Sequence, residues 1–352
     1  MGPVTALPSA RVISQVVTQS ECWDQPIEQL QGSLLQGWRW GELKSRHGWS
    51  PVRLLLTADD DPLLAAQILF RRFGPLSVAY VPRGPACVHP HPALPAMLTI
   101  ALDQICQRRN AAIVFVEPDA AVVSLPTGGK LGWSPSQAMF QPKRTIKVRV
   151  DRPDDELLER MKPKTRYNVR LAERRGVTVR VGSLAELPAV YQALQETAER
   201  NVFGIHSLEY YQDVLKTFGP DLALLIAEVD GDLAAAVVAI RQGREAVYMY
   251  GASTAQHQRH MPAYLVQFEA MRWARESGCD WYDFWGIPDS DLPPADAEDG
   301  DGKYLNVRSG LWGTYRFKQG FGGGVVSYPG VFERVYLWPV VELWRRFRPG
   351  LG

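Results

Sequence analysis

Cysteine is scarce and scattered in this chain. Only Cys22, Cys87, Cys106 and Cys279 occur among 352 residues, with no Cys-x-x-Cys pair and no Cys/His spacing of the zinc-binding kind. A zinc site and a disulfide framework are both disfavoured, and reduced, buried thiols of a cytoplasmic protein are expected. Charge of one sign is also in short supply, for the formal net charge is +1. Polyanion binders usually carry a basic surplus over a whole domain, so any contact with nucleic acid must come from a local patch. No apolar run approaches the ~20 residues that span a bilayer, and residues 1–15 hold no apolar stretch that would make a signal peptide. A Ser-His-Asp or Cys-His set is missing too, and Cys279-Asp280 has no histidine partner close by in sequence.

What the chain does have is length and aromatics. A chain of 352 residues suggests about two domains. Eleven Trp and thirteen Tyr are enough to line a cleft as well as a core. Residues 25–46 read as one helix with Leu30, Leu34, Leu35 and Trp38 on its apolar face. Strands follow at 52–56, 63–70 and 78–81, then the breaker cluster Pro82-Arg83-Gly84-Pro85, a helix over 92–109 and a strand over 111–116. A second cycle begins with the alternating strand 146–150. Helix 157–175, broken at Pro163 and capped by Gly176, leads to strand 177–181 and helices 187–200 and 208–217. Strands 222–229 and 234–241 are joined by the hairpin signal Asp230-Gly231-Asp232 and followed by strand 246–251, helix 262–276 and strand 281–285. Residues 288–302 are acidic and poor in apolar side chains, which predicts a mobile loop.

Two stretches carry chemistry. From Arg160 to Arg175 the chain has seven basic residues and one acid. Arg166, Arg170 and Arg174 fall four apart and so share a helical face, with Lys164 near the helix start; such forks suit phosphates. The plainer reading is a solvated, partly salt-bridged surface helix. The second stretch is Gly313-Thr314-Tyr315-Arg316-Phe317-Lys318-Gln319-Gly320-Phe321-Gly322-Gly323-Gly324, read here as a Gly-rich turn before a strand. It sets Lys318 beside an aromatic ring, where an ammonium could stabilise an oxyanion or a phosphate.

Taken with Tyr250-Gly251-Ala252-Ser253 and Asp283-Phe284-Trp285-Gly286-Ile287, that run resembles the Fem-type aminoacyltransferases (FemA, FemB, FemX) of peptidoglycan bridge synthesis. The similarity spans roughly residues 25–330. It implies a mixed α/β chain of two GNAT-like acyltransferase domains in tandem, 1–146 and 147–327, with 328–352 packed back on the first. The family likeness assigns catalysis to Lys318, for the oxyanion or the tRNA terminus, with Phe317 packed beside it. Leu35-Gln36-Gly37-Trp38-Arg39-Trp40-Gly41-Glu42-Leu43-Lys44 resembles the family segment whose lysine contacts the precursor's diphosphate, a role that falls to Lys44. Glu117, with Asp119 as its substitute, stands where relatives carry Asp-Pro at the cleft edge. The block from Thr197 to Tyr210 resembles a family motif, but His206 replaces an arginine that binds phosphate in relatives; Arg200 is the alternative. Tyr210 and Tyr250 are expected as donors to the acceptor, and Lys164, Arg166, Arg170 and Arg174 as a seat for tRNA phosphates.

An aminoacyl ester is already activated, so the implied reaction needs no metal, ATP or other cofactor, only alignment and oxyanion stabilisation. The implied transfer is of Gly, Ala or Ser from tRNA to the side-chain amine of the stem peptide. Either lipid II or the UDP-linked pentapeptide would accept it, and the family likeness leaves the oligomeric state open. Residues 335–348 mix Trp, Tyr and Phe with arginines, which suits a helix packed on the first domain or a contact with the inner leaflet. Two rivals stand beside this reading. One is an acyltransferase of the same fold with another donor. Acetyl-CoA fits poorly there, since Arg259-His260-Met261-Pro262-Ala263 lacks the glycines of a pyrophosphate loop. The other rival is a non-catalytic RNA-binding protein using the basic helix.

Overall fold

The computed structural model describes residues 12–89, 91–119, 125–127, 132–201, 204–289 and 311–347. The chain divides into two compact units, residues 1–140 with 328–352, and residues 141–327. The expected acidic loop 288–302 lies outside the described residues except for Pro288 and Asp289.

The first unit opens with β1 (Val12–Val17), α1 (Glu21–Gln29), α2 (Trp38–Arg46), β2 (Ser50–Ala58), β3 (Asp61–Phe73), β4 (Leu76–Val81), α3 (Leu94–Arg108), β5 (Ala111–Val116) and the short β6 (Ser134–Pro135). The second holds β7 (Arg144–Arg149), α4 (Asp154–Arg160), α5 (Pro163–Arg174), β8 (Thr178–Val181), α6 (Leu187–Asn201), α7 (Leu208–Phe218), β9 (Leu222–Val229), β10 (Asp232–Gln242), β11 (Glu245–Ser253), α8 (Pro262–Glu276), β12 (Trp281–Ile287), α9 (Leu311–Gln319) and β13 (Gly324–Ser327). The chain then returns to the first unit with β14 (Phe332–Val335) and α10 (Trp338–Phe347).

The two sheets share one plan. Their strand orders are β1-β2-β3-β4-β5-β14-β6 and β8-β9-β10-β11-β12-β7-β13. In each, four antiparallel strands lead to one parallel pair, β4 with β5 and β11 with β12. A parallel pair needs a crossover, and α3 and α8 supply it. Both crossover helices bury an apolar stripe, Leu98, Leu102 and Ile105 on α3 and Leu265, Phe268 and Met271 on α8. An antiparallel strand then flanks each pair, β14 in one sheet and β7 in the other.

The pairs differ in one respect. In the first unit β4 and β5 stay joined to the end at Val81 and Val116, and the Glu117 N–H donates onward to the Val81 carbonyl at 3.0 Å. In the second, β11 and β12 pair only from Glu245↔Trp281 to Val247↔Asp283, then part, although β11 continues to Ser253 and β12 to Ile287.

Most expected elements are present within a few residues, and the hairpin turn has Asp230 at φ 53° and Gly231 at φ 87°. Two expectations are corrected. Residues 25–46 are not one helix: α1 ends at Gln29, a 3-10 turn spans Leu34–Gln36 and α2 begins at Trp38. The break follows from Gly32, whose missing side chain lets the backbone lie against Ile27, and from Ser33, which accepts from the Leu35 N–H at 3.3 Å. The run from Gly313 is not a turn up to Gly320 but most of a helix, α9. Its glycines serve close approach afterwards. A Cβ on Gly322, at φ 86°, would stand 2.3 Å from the Arg160 carbonyl oxygen, and one on Gly323 would stand 2.7 Å from that of Lys147. The end of α9 is thereby seated against the α4–α5 junction, where the Lys162 N–H donates to the Gly320 carbonyl at 2.8 Å.

Candidate functional site

Lys318 sits on the last turn of α9 and is 7% exposed. Its ammonium donates to the Gly286 carbonyl at 2.7 Å and approaches the Trp285 carbonyl at 3.5 Å, so it lies on β12 just beyond the point where β11 and β12 part. The Tyr248 ring of β11 is 5.7 Å away. Burial pulls this amine down to about 8, while the negative charge of Asp283 pulls it back up. A cation is therefore held in a poorly hydrated place at neutral pH, where its field on a neighbouring oxyanion is strong. Phe317, the other expected catalytic residue, packs against Tyr264 and Phe321 at ring distances of 4.9 and 5.2 Å and braces α9.

A second group of expected residues is drawn together where α6, α7 and β11 meet. Arg200 donates to the Ser253 carbonyl and hydroxyl, each at 3.1 Å, and Thr197 ties the same strand by accepting from the Ser253 N–H. His206 stacks on Tyr210 with ring centres 3.9 Å apart. Tyr211 stands edge-on to Tyr250 at 4.9 Å, and Tyr210 and Tyr250 share a hydrogen bond. Burial pushes the Tyr210 hydroxyl up to about 12 and that of Tyr250 well above its ordinary value, so both stay protonated as donors. Tyr250 lies on β11 beyond the parting.

The basic helix α5 turns Thr165, Asn168, Val169 and Ala172 inward and leaves Lys164, Arg170 and Arg174 exposed. Those three make no ion pair with any described residue, whereas Arg180, Arg241, Arg244, Arg272 and Arg275 each hold a carboxylate. Arg166 differs from its neighbours. It donates to the Leu158 and Glu159 carbonyls at 3.4 and 3.2 Å and so closes the open end of α4.

Lys44 and Glu117 belong to the first unit. Lys44 lies over the Trp40 ring at 4.7 Å, and burial pulls it down to about 8. Glu117 is 2% exposed and accepts from the Tyr80 hydroxyl at 2.5 Å. Sequence reasoning missed the frame that holds α2. Gln67 donates to the Leu35 and Gly37 carbonyls at 3.1 and 3.0 Å and accepts from Arg53, which reaches the Trp38 carbonyl and Glu42 at 3.0 Å each. A Gln and an Arg at inward strand positions were the available signal. Among the described residues, no group of three His, Cys, Asp or Glu side chains could hold a metal ion.

Comparison with known proteins identifies the fold and the family. A Staphylococcus saprophyticus protein named lipid II:glycine glycyltransferase is 23% identical, the match covering 91% of this chain and 92% of that one. A crystal structure of FemX is similar with a TM-score of 0.80 at 22% identity, over 94% of this chain and 99% of that one. A tandem GNAT protein from the clavulanic acid biosynthesis pathway gives 0.52 at 12% identity, over 92% and 98% of the two chains. The mixed α/β, tandem GNAT-like fold expected from the sequence is thus the fold the chain has. The FemAB family model matches residues 18–131, 128–234 and 231–340, and the chain belongs to the FemAB family.

Proposed function

We propose that this protein is a tRNA-dependent aminoacyltransferase that adds glycine to the side-chain amine of a peptidoglycan stem peptide, with lipid II as acceptor. The observation that carries the reading is the buried Lys318 ammonium at the parting of β11 and β12. The names of the staphylococcal relatives support the choice of glycine and lipid II.

The acceptor amine attacks the ester carbonyl of the charged tRNA. A C–N bond forms, and Lys318 stabilises the oxyanion of the tetrahedral intermediate. Collapse breaks the ester C–O bond, the tRNA leaves as its ribose hydroxyl, and the amine gives up a proton. The linked hydroxyls of Tyr210 and Tyr250 offer one donor to the acceptor beside Arg200 and His206. The unpaired face of α5 takes the donor's phosphates, and Lys44 takes the acceptor's diphosphate.

The test is a transfer assay with pooled tRNA charged with radiolabelled glycine, alanine or serine, and with lipid II and the UDP-linked pentapeptide as acceptors. Label should pass from glycyl-tRNA to lipid II, and RNase or Lys318→Ala should abolish it. A folded protein that transfers nothing to either acceptor would sink the reading.

A further inference from the structure

Asp283 lies mid-strand in Trp281-Tyr282-Asp283-Phe284-Trp285 and is 1% exposed, between neighbours Tyr282 and Phe284 that are fully buried. A carboxylate that far from water needs compensation. It accepts from the Thr145 hydroxyl of β7 and from the N–H of Trp285, two residues ahead, at 2.6 Å. The second bond competes with the sheet ladder. It draws the chain into a tight bend, with Trp285 at φ 58°. Pairing with β7 accordingly jumps from Asp283↔Lys147 to Gly286↔Thr145, three residues on β12 against two on β7. Asp283 is also the last residue of β12 paired with β11.

The bend has a product. The carbonyls of Trp285 and Gly286, the two residues just after the bent bond, are the ones Lys318 meets at 3.5 and 2.7 Å. We propose that Asp283 is the positioning residue for Lys318, shaping the strand that receives its ammonium and setting a buried carboxylate in that strand.

The surrounding groups fit this role. Lys147 of β7 is 3.9 Å from Asp283 but 2.6 Å from Glu245 of β11, the nearer of the two carboxylates. Tyr248 of β11 faces the ammonium only with its ring. Among the described residues, Asp283 is therefore the anion that acts on Lys318, opposing the effect of burial. The role rests on the aminoacyltransferase reading only for its catalytic consequence.

The experiment is titration of the Lys318 side chain by NMR in protein carrying 13C at lysine Cε, the signal being assigned by its loss in Lys318→Arg. Asp283→Asn keeps the shape and removes the charge; Asp283→Ser removes the charge with a smaller group if the first does not fold. The Lys318 midpoint should move at least one pH unit towards acid, and an unmoved midpoint in a folded variant overturns the proposal. In the transfer assay at pH 9, above both midpoints, kcat should fall about tenfold with acceptor KM changed less than about threefold. An unchanged kcat would overturn it as well. A shifted midpoint in the variant, together with a wild-type protein that transfers nothing, would leave the positioning role standing and remove the proposed reaction.

Discussion

Lys318 gives its proton-bearing end to the Gly286 carbonyl at 2.7 Å while standing almost wholly out of water. Such a cation is held at a cost to stability. The drop from 10.5 to about 8 corresponds to about 3 kcal/mol, present in full below pH 8, where the unfolded chain and the folded one both carry the proton. The penalty fades as pH rises from about 8 to 10.5, because the folded protein then holds a neutral amine. Lys318→Met removes it but strands a carbonyl, worth about 1 kcal/mol. Calorimetry at pH 7 should show the variant about 2 kcal/mol more stable, and the margin should shrink by pH 10. A less stable variant at pH 7 would contradict the account.

The same ionisation should limit turnover. If the ammonium stabilises the oxyanion, kcat should decline above about pH 8, against the rise expected from an acceptor amine losing its proton. Residual activity of Lys318→Met should lack that decline. A wild-type profile still rising at pH 9.5 would argue against Lys318 acting as a cation.

On α5 the arginines should separate by task. Arg170→Glu with Arg174→Glu touches exposed side chains and should alter stability by less than about 0.5 kcal/mol. It should raise donor KM at least about tenfold and flatten its dependence on salt. Arg166→Ala should instead cost about 1 kcal/mol in urea unfolding, since it frees the Leu158 and Glu159 carbonyls.

Two glycines within five residues of the end of α9 should respond differently. Gly322→Ala forces a Cβ onto the Arg160 carbonyl at a positive φ and should destabilise by about 2 kcal/mol or more. Gly324 has nothing within 4 Å of its missing Cβ, so strain at that position should be absent and Gly324→Ala nearly neutral. Urea midpoints of the two variants compare them directly.

Why some features were legible in the sequence and others were not is a matter of range. Strand 111–116 and helix 262–276 were readable to the residue because apolar pattern and flanking breakers act locally. α9 was masked by the glycines that follow it, since their purpose is contact with Arg160 and Lys147, more than 150 residues earlier. Lys318 could be singled out from its aromatic neighbours, but its partners lie on β12 and its burial comes from the fold. Asp283 was visible only as part of a motif. Its role depends on a hydroxyl 138 residues away in sequence and on a bend that no propensity encodes.

The strand β14, drawn from beyond residue 327, fills an interior place between β5 and β6. During synthesis, therefore, the first sheet cannot close when its own residues leave the ribosome. It must wait with β5 bare along one side while 187 intervening residues, Gln141–Ser327, are made. The nascent first unit is thus an open template for chaperones or for stray pairing, and translation has to run nearly to α10 before that edge is sealed.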